Sequence, residues 1–237
     1  LDTDVVLPDS GVRMPQEWYD MRIGAMYRRL LSNGWVAGGM LQVGSASDEP
    51  FHSDEEWLVD GAASLLVPTE GRNAWLFMLQ FSNNRSFLPY VPLPGVAYSW
   101  HADENLHLIL GVPVSAVRWE PVERLHVDAS YMLLRQVHAK IGYDVLDNVR
   151  VYGGFDWENQ RYFRAGRPDD DDRMFFYEKR VSGGVRWQIT KSVYVDLFGG
   201  YAFDRFFFEG EDYDDRGNDR LTIDDGPFLA AKAGLRF

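Results

Sequence analysis

The stretch SVYVDLFGGYAFD at 192–204 alternates between two kinds of side chain. Apolar or small residues occupy its odd-numbered positions, and the even-numbered positions include the carboxylates Asp196 and Asp204. Successive side chains of a β-strand point to opposite faces, so this pattern predicts a strand with one apolar and one polar face. The same period of two recurs at 125–133 and 137–145. We therefore predict a chain built from two-faced strands, with little helix.

The alternation predicts twelve strands, with ten or fourteen as alternatives. The region 95–119 leaves the count open, because Pro113 donates no hydrogen bond to a ladder and can divide one predicted strand into two. The predicted strands lie at 18–29, 34–44, 57–67, 73–82, 95–101, 106–119, 124–133, 137–146, 149–158, 174–189, 193–208 and 220–237.

Two-faced strands are compatible with a soluble sandwich or with a membrane barrel. The connections favour the barrel, because short turns at 146–148 and 189–192 alternate with long polar loops at 158–173 and 209–220. This alternation is typical of outer-membrane barrels, which also carry aromatic girdles near the strand ends. We therefore predict an all-β, antiparallel, up-and-down transmembrane β-barrel over residues 18–237. The predicted girdle residues are Tyr143, Trp157, Phe175, Tyr177, Trp187, Tyr201 and Phe203.

The composition argues against several classes of protein. A formal net charge of -12 over 237 residues disfavours non-specific binding to nucleic acid. The sequence has no cysteine, so it offers neither a disulfide framework nor a thiol nucleophile. No apolar run reaches the roughly 18 residues of a membrane helix, whereas a mean hydropathy of -0.31 fits a barrel in which every second residue faces lipid. The chain starts at Leu1, which we interpret as the mature form of an exported protein.

Four phrases of the C-terminal half resemble a family of bacterial outer-membrane β-barrels that is known as a domain of unknown function and is porin-like. The resemblance covers residues 95–237 and implies a barrel in the outer membrane of a Gram-negative bacterium, without an assigned activity. The phrases are NVRVYGGFDWENQRYF, FFYEKRVSGGVRW, LFGGYAFDRFFFEGEDYDDR and GPFLAAKAGLRF.

The last residues separately resemble the assembly signal of barrel proteins, which ends in an aromatic residue after alternating apolar positions. The matching positions are Phe237, Leu235 and Ala233. By analogy we expect insertion by the barrel assembly machinery, through strand addition to an unpaired edge. An even number of strands would leave both termini in the periplasm. Residues 1–17 are then expected to form a periplasmic segment or a plug.

Charges of both signs fall on the predicted inward face. Because neither sign dominates, we expect a narrow lumen without the strong ion preference of a selective pore. The expected function is that of a small passive channel; the alternative is a structural or interaction barrel whose acidic loops bind partners in the envelope. The predicted lumen-lining charges are Lys140, Arg150, Asp156, Arg180, Arg186, Asp196, Lys232 and Arg236.

A third and less favoured alternative is a lipid-modifying hydrolase. His126, Asp128 and Ser130 share one face of a predicted strand. Neighbours on one face are about 6.6 Å apart, which is too far for a hydrogen bond between nucleophile and base. Ser130 could instead meet His138 across the ladder. We interpret these residues as ordinary lumen side chains and predict no catalytic site.

Metal chemistry is suggested only by the acidic loops. Oxygen ligands suit calcium, but Arg216 interrupts the spacing of a calcium-binding loop. We expect these loops to be solvated or to bind the divalent cations that bridge lipopolysaccharide, and we predict no resident cofactor. Outer-membrane lipid and lipopolysaccharide are the expected partners. The weak metal candidates are Asp212, Asp214, Asp215 and Asp219, together with the run at 169–172.

Overall fold

The structure is a computed structural model that describes residues 5–85, 87–133, 136–217 and 219–235. Among them, no helix is both long and apolar enough to cross a membrane. Two short 3₁₀ turns lie at Asp54–Glu56 and Tyr213–Asp215. The strands are β1 Tyr19–Leu30, β2 Val36–Ser47, β3 Trp57–Pro68, β4 Ala74–Ser82, β5 Leu93–His101, β6 Leu106–Val112, β7 Val114–Trp119, β8 Leu125–Met132, β9 Gln136–Leu146, β10 Val149–Tyr162, β11 Arg173–Gln188, β12 Val193–Gly210, β13 Leu221–Ile223 and β14 Gly226–Leu235.

The strands form one sheet in which each strand from β1 to β13 pairs with its neighbour in sequence. β13 and β14 both pair with β12, so they share one position at this edge. The predicted all-β, antiparallel, up-and-down architecture is therefore confirmed. Among the described residues, β1 and β14 pair with β2 and β12 and not with each other.

The described residues form fourteen strands, the number given above as the larger alternative to twelve. Pro113 separates β6 from β7, and these two strands pair as a hairpin. The last predicted strand is also divided, because the ladder breaks between Ile223 and Gly226. Strands β10 and β12 extend further than predicted, so the long loops shrink to 163–172 and 211–220.

The register places residues of the polar phase opposite one another. Between β8 and β9, Asp128 lies opposite Lys140 and Ser130 lies opposite His138. Between β12 and β14, Asp196 lies opposite Lys232. A slip by one residue would turn every one of these side chains to the other face, so the alternation in the sequence and the register support each other.

The chain divides into two compact units. Unit 1 comprises 1–96, 159–177 and 206–223, and unit 2 comprises 97–158, 178–205 and 224–237. Unit 1 has a hydrophobic core in which the N-terminal residues Leu7 and Met14 pack with Met174 and Phe207. The described part of the N-terminal segment therefore packs against the ends of β11 and β12 that adjoin the long loops.

Two buried ion pairs fix the loops of unit 1. Arg164 binds both carboxylate oxygens of Glu209 at 2.8 and 3.1 Å, with 7% and 6% of the two side chains exposed. Nη1 of Arg167 lies 3.6 Å from Glu56. Because an unpaired buried charge is costly, these pairs hold 163–172 in one conformation.

Two residues of the predicted aromatic girdle are buried in unit 1. Phe175 stacks on Phe208 at 4.6 Å and Tyr177 stacks on Phe206 at 4.5 Å between ring centroids. Arg220 covers the Phe206 ring at 3.9 Å. The prediction that Phe175 and Tyr177 belong to an exposed girdle is therefore wrong, because neighbouring strands and the 211–220 loop cover this end of β11.

Candidate functional site

A cavity in unit 2 has a volume of about 650 Å³, and both polar and apolar side chains form its walls. Its lining comes from the polar phase of β7 to β12 and from β6 and β14. Side chains of both charges and three hydroxyl groups line this cavity, which we call the charged cavity. Its ionisable lining residues are His107, Arg118, Asp128, His138, Lys140, Tyr152, Asp156, Arg180, Arg186, Asp196 and Lys232.

Asp196 is the best-bonded carboxylate of the charged cavity. It accepts hydrogen bonds on Oδ2 from Nε and Nη2 of Arg186, at 3.0 and 2.5 Å. Its Oδ1 accepts a hydrogen bond of 2.7 Å from the Tyr152 hydroxyl. Lys232 occupies the opposing register position on β14. The Arg186 guanidinium group and the Tyr152 phenol thus compensate one carboxylate whose side chain is only 4% exposed.

The position of Tyr152 depends on a glycine. A Cβ at Gly184 would lie 2.7 Å from both the Tyr152 ring and Cβ of Phe198. Only glycine leaves room for the ring at this point of the sheet. Lys140 lies over the Tyr152 ring, with Nζ 3.2 Å from the centroid in a cation–π contact.

A second group of polar side chains lies on β9 and β10, where His138 and Asp156 line the charged cavity. Nδ1 of His138 lies 2.9 Å from Oδ1 of Asp156, and Glu158 lies two residues further along the same strand. One ligand atom from each of the three residues falls within 4.8 Å of the others, so this group could hold a metal ion. Nη2 of Arg180 lies 3.0 Å from Glu158 and competes with an ion for that carboxylate. In the sequence the signal is a cross-strand His–Asp pair with a carboxylate two residues after the aspartate, whereas the predicted metal candidates lay only in the acidic loops.

A third network binds Asp144 on β9. Nε and Nη2 of Arg150 donate to its two oxygens at 2.5 and 2.9 Å, and Nε2 of His126 lies 2.8 Å from Oδ2. On the neighbouring strands Arg118 pairs with Asp128 at 3.1 Å. Each of these charges therefore has an opposite charge on its own or an adjacent strand.

The other face of the same strands is apolar and exposed. Leu229 on β14 is 85% exposed, and Leu197 and Ile141 are more than half exposed. Trp187 and Tyr201, two of the predicted girdle residues, are also exposed. Unit 2 is thus inverted relative to a soluble sandwich, because its polar phase lines a cavity and its apolar phase faces outward.

Six of the eight predicted lumen charges line the charged cavity. Arg150 does not line it and binds Asp144, while Arg236 lies outside the described residues. The six are Lys140, Asp156, Arg180, Arg186, Asp196 and Lys232.

The predicted assembly signal is described only in part. Ala233 is exposed on β14 opposite Val195, and the backbone of Leu235 pairs with Val193. Phe237 lies outside the described residues. Its role in assembly stays a prediction.

The candidate catalytic residues occupy opposing positions on neighbouring strands. Ser130 and Asp156 both lie opposite His138, on the two strands that flank β9. Among the described residues, the hydrogen bond of His138 goes to Asp156, and none joins it to Ser130. Ser130 and His138 therefore do not form the nucleophile–base hydrogen bond that a hydrolase would require of this pair.

The acidic loop residues bind backbone groups. Asp212 and Asp215 cap the 3₁₀ turn at 213–215 by accepting hydrogen bonds from backbone N–H groups. Asp219 accepts hydrogen bonds from the backbone of Asp9 and Ser10 at 2.7 and 2.9 Å. Burial opposes the charged form of Asp219, but these hydrogen bonds outweigh it and lower the pKa. In the described part of the chain, the weak metal candidates, including Asp214, are not gathered around a common point.

Asp172 lines a smaller cavity of about 430 Å³ in unit 1, beside Glu209, Glu211 and Asp215. Burial is the main cause that raises the pKa of Asp172 to about 6, followed by the charges of Glu209 and other nearby carboxylates. The loop end of unit 1 is therefore strongly acidic.

A family model described as a domain of unknown function (DUF6268) matches residues 9–218, which is most of the chain. The chain therefore belongs to this family. Neither the curated proteins nor the solved structures include a significant match.

Proposed function

We propose that this member of a family without an assigned function is an integral outer-membrane β-barrel that acts as a small passive channel. The observation that carries the proposal is the inversion of unit 2, where a charged cavity lies on one face of the strands and Leu229, Leu197 and Ile141 are exposed on the other. In lipid, exposed apolar side chains are stable, and a sheet must close so that no backbone edge is left unpaired.

The cavity chemistry supports a wet passage with weak ion preference. Asp196 is compensated by Arg186, and Glu158 is compensated by Arg180. Paired charges reduce the field that would favour one sign of ion. Polar groups that remain partly exposed, such as His138, favour water in the cavity. We therefore expect small polar solutes and ions of both signs to pass slowly.

In this proposal the loops at 163–172 and 211–220 face the cell exterior, next to lipopolysaccharide, and the C-terminus lies in the periplasm. The periplasmic position of residues 1–17 stays a prediction from the sequence. The packing of Leu7 and Met14 near the long loops supports the other alternative, a plug. Insertion through the barrel assembly machinery is part of the same proposal.

A second candidate function is an interaction barrel. The observation that favours it is the fixed structure of the acidic loops, in which Arg164 and Glu209 form a buried bidentate pair. A rigid loop binds a partner at a lower entropic cost than a mobile one. Planar-bilayer recordings distinguish the two candidates. Discrete open steps from reconstituted protein are expected for a channel, whereas a folded, inserted and silent protein supports the interaction barrel.

The hydrolase alternative is tested separately by incubating the reconstituted protein with phospholipid. We expect no hydrolysis, and no difference between the wild type and Ser130→Ala. Product that forms with the wild type and disappears in Ser130→Ala would contradict the channel proposal. It would show that Ser130 and His138 approach each other in the membrane.

A further inference from the structure

Four arginines of unit 1 have few carboxylates nearby to balance their positive charges. Asp60 in β3 acts electrostatically on both Arg85 and Arg161, and its Oδ2 also lies 3.4 Å from Nη1 of Arg22. One carboxylate is thus shared by three guanidinium groups. The four are Arg22 in β1, Arg85 in the loop after β4, Arg161 near the end of β10 and Arg173 at the start of β11.

Three of these arginines have other acceptors. Nε and Nη2 of Arg22 donate to the two oxygens of Asp20, at 2.5 and 2.8 Å. Arg85 donates to two backbone carbonyls, at 3.1 and 3.3 Å. Arg173 also donates to backbone carbonyls, two of them at 3.0 Å. These hydrogen bonds fix the positions of the three arginines, and none of them involves Arg161.

Arg161 is the exception. Its Nε is buried and has no hydrogen-bond partner, and no carboxylate of the described residues forms an ion pair with its guanidinium group. The positive charges of Arg22, Arg85 and Arg173 and the negative charge of Asp60 act on it. Within the described residues, this guanidinium group thus has no hydrogen-bond or ion-pair partner.

Asn159 provides a second, independent observation. Asn159 is only 1% exposed, and neither Nδ2 nor Oδ1 of its side chain has a hydrogen-bond partner. Residues two apart in a strand share a face and lie about 6.6 Å apart, so Asn159 and Arg161 point to the same side of β10. Two buried N–H donors therefore face one region of unit 1 without an acceptor.

Buried donors without partners require compensation, and Nε of Arg161 belongs to a group that also carries a charge. A water molecule could accept the hydrogen bonds, but it would leave the charge of Arg161 uncompensated. An oxyanion supplies acceptors and charge together, and the guanidinium fork matches two oxygens of a phosphate group. Solvent reaches the group, because the side chains of Arg22 and Asp60 are 30% and 21% exposed.

We propose that Arg161 binds a phosphate group, with Asn159 as a second donor and the neighbouring arginines as a positive surround. The site lies within unit 1 and does not depend on whether the protein conducts. Free phosphate and the phosphate of a lipid headgroup share this chemistry, and the test below separates them.

The test is isothermal titration of the full-length protein in neutral detergent micelles with sodium phosphate, at constant low ionic strength set with chloride. We expect saturable binding to the wild type and at least a tenfold weaker affinity for Arg161→Gln. Arg161→Lys is expected to lie between the two, because lysine keeps the charge and loses the fork. Arg72→Gln, in the exposed turn after β3, is the matched control and is expected to bind like the wild type.

Asp60→Asn is expected to change the phosphate affinity in the opposite direction to Arg161→Gln. Removing the carboxylate that competes for Arg161 is expected to tighten phosphate binding severalfold. If Arg161→Gln fails to fold by circular dichroism, Asp60→Asn and Arg161→Lys still test the proposal. Mixed micelles with phosphatidic acid form the second arm, and saturation in this arm alone assigns the site to a lipid headgroup. Absence of saturable binding in both arms, or equal affinity of wild type and Arg161→Gln, would overturn the proposal.

Discussion

Replacing Asp196 by asparagine tests the energetics of the charged cavity. The change removes the charge that two Arg186 nitrogens contact at 3.0 and 2.5 Å, and it leaves one acceptor oxygen for donors on two sides, Arg186 and Tyr152. Breaking a buried ion pair by removing one partner costs about 3–5 kcal/mol. Because the Arg186 side chain is 33% exposed and regains some hydration, we expect the lower end, about 3 kcal/mol, in the free energy of unfolding.

The assay is urea unfolding of the folded protein in lipid vesicles, followed by tryptophan fluorescence. Asp147→Asn is the matched control, because Asp147 also pairs with an arginine, Arg124, at 3.1 Å, but its side chain is 94% exposed. A surface pair of this kind contributes little, so the control is expected to unfold like the wild type. Equal loss of stability in both variants, or no loss in Asp196→Asn, would refute the idea that Asp196 is a buried, compensated charge.

Three further changes test other parts of the structure. The pKa of Asp172, about 6, lies above its ordinary value of 3.8, so ionisation of Asp172 destabilises the fold increasingly as pH rises from about 4 to 6. Asp172→Asn should therefore stabilise the protein by about 1 kcal/mol at pH 7.5 and not at pH 4. Urea unfolding at both pH values measures this difference. Gly184→Ala is expected to displace Tyr152 and lower the melting temperature by several degrees, whereas Gly226→Ala, where a Cβ meets nothing within 4 Å, should not; equal melting temperatures would contradict this packing. Phe237→Ala should reduce the fraction of heat-modifiable, membrane-inserted protein, and normal insertion of this variant would count against the assembly signal.

The alternation of side chains was sufficient to predict the all-β, antiparallel sheet. The cross-strand pair of Asp128 and Lys140 follows from two antiparallel strands joined by a short connection. The division at Pro113 was foreseen as an alternative, since proline breaks a ladder for a local reason. Features that depend on residues close together in the chain can be predicted from the sequence.

Features that depend on distant segments were not predicted. Phe175 alternates like its exposed neighbours, but Phe208 lies 33 positions later in the chain and covers it. The bond from Tyr152 to Asp196 likewise joins β10 and β12, with a glycine of β11 between them. The period of two assigns a face to each residue, but it does not reveal what packs against that face.

The absence of cysteine allows the central claim to be measured directly, because single cysteines can be introduced for spin labelling. Labels at Leu229 and Ile141 in lipid vesicles are expected to relax with oxygen, which concentrates in lipid, and to be shielded from a water-soluble nickel complex. Labels at Ser130 and Ser182, which line the charged cavity, are expected to show the reverse. Labels at Leu229 and Ile141 that respond to the nickel complex, or a protein that stays outside the vesicles, would contradict an outer-membrane barrel with a charged interior.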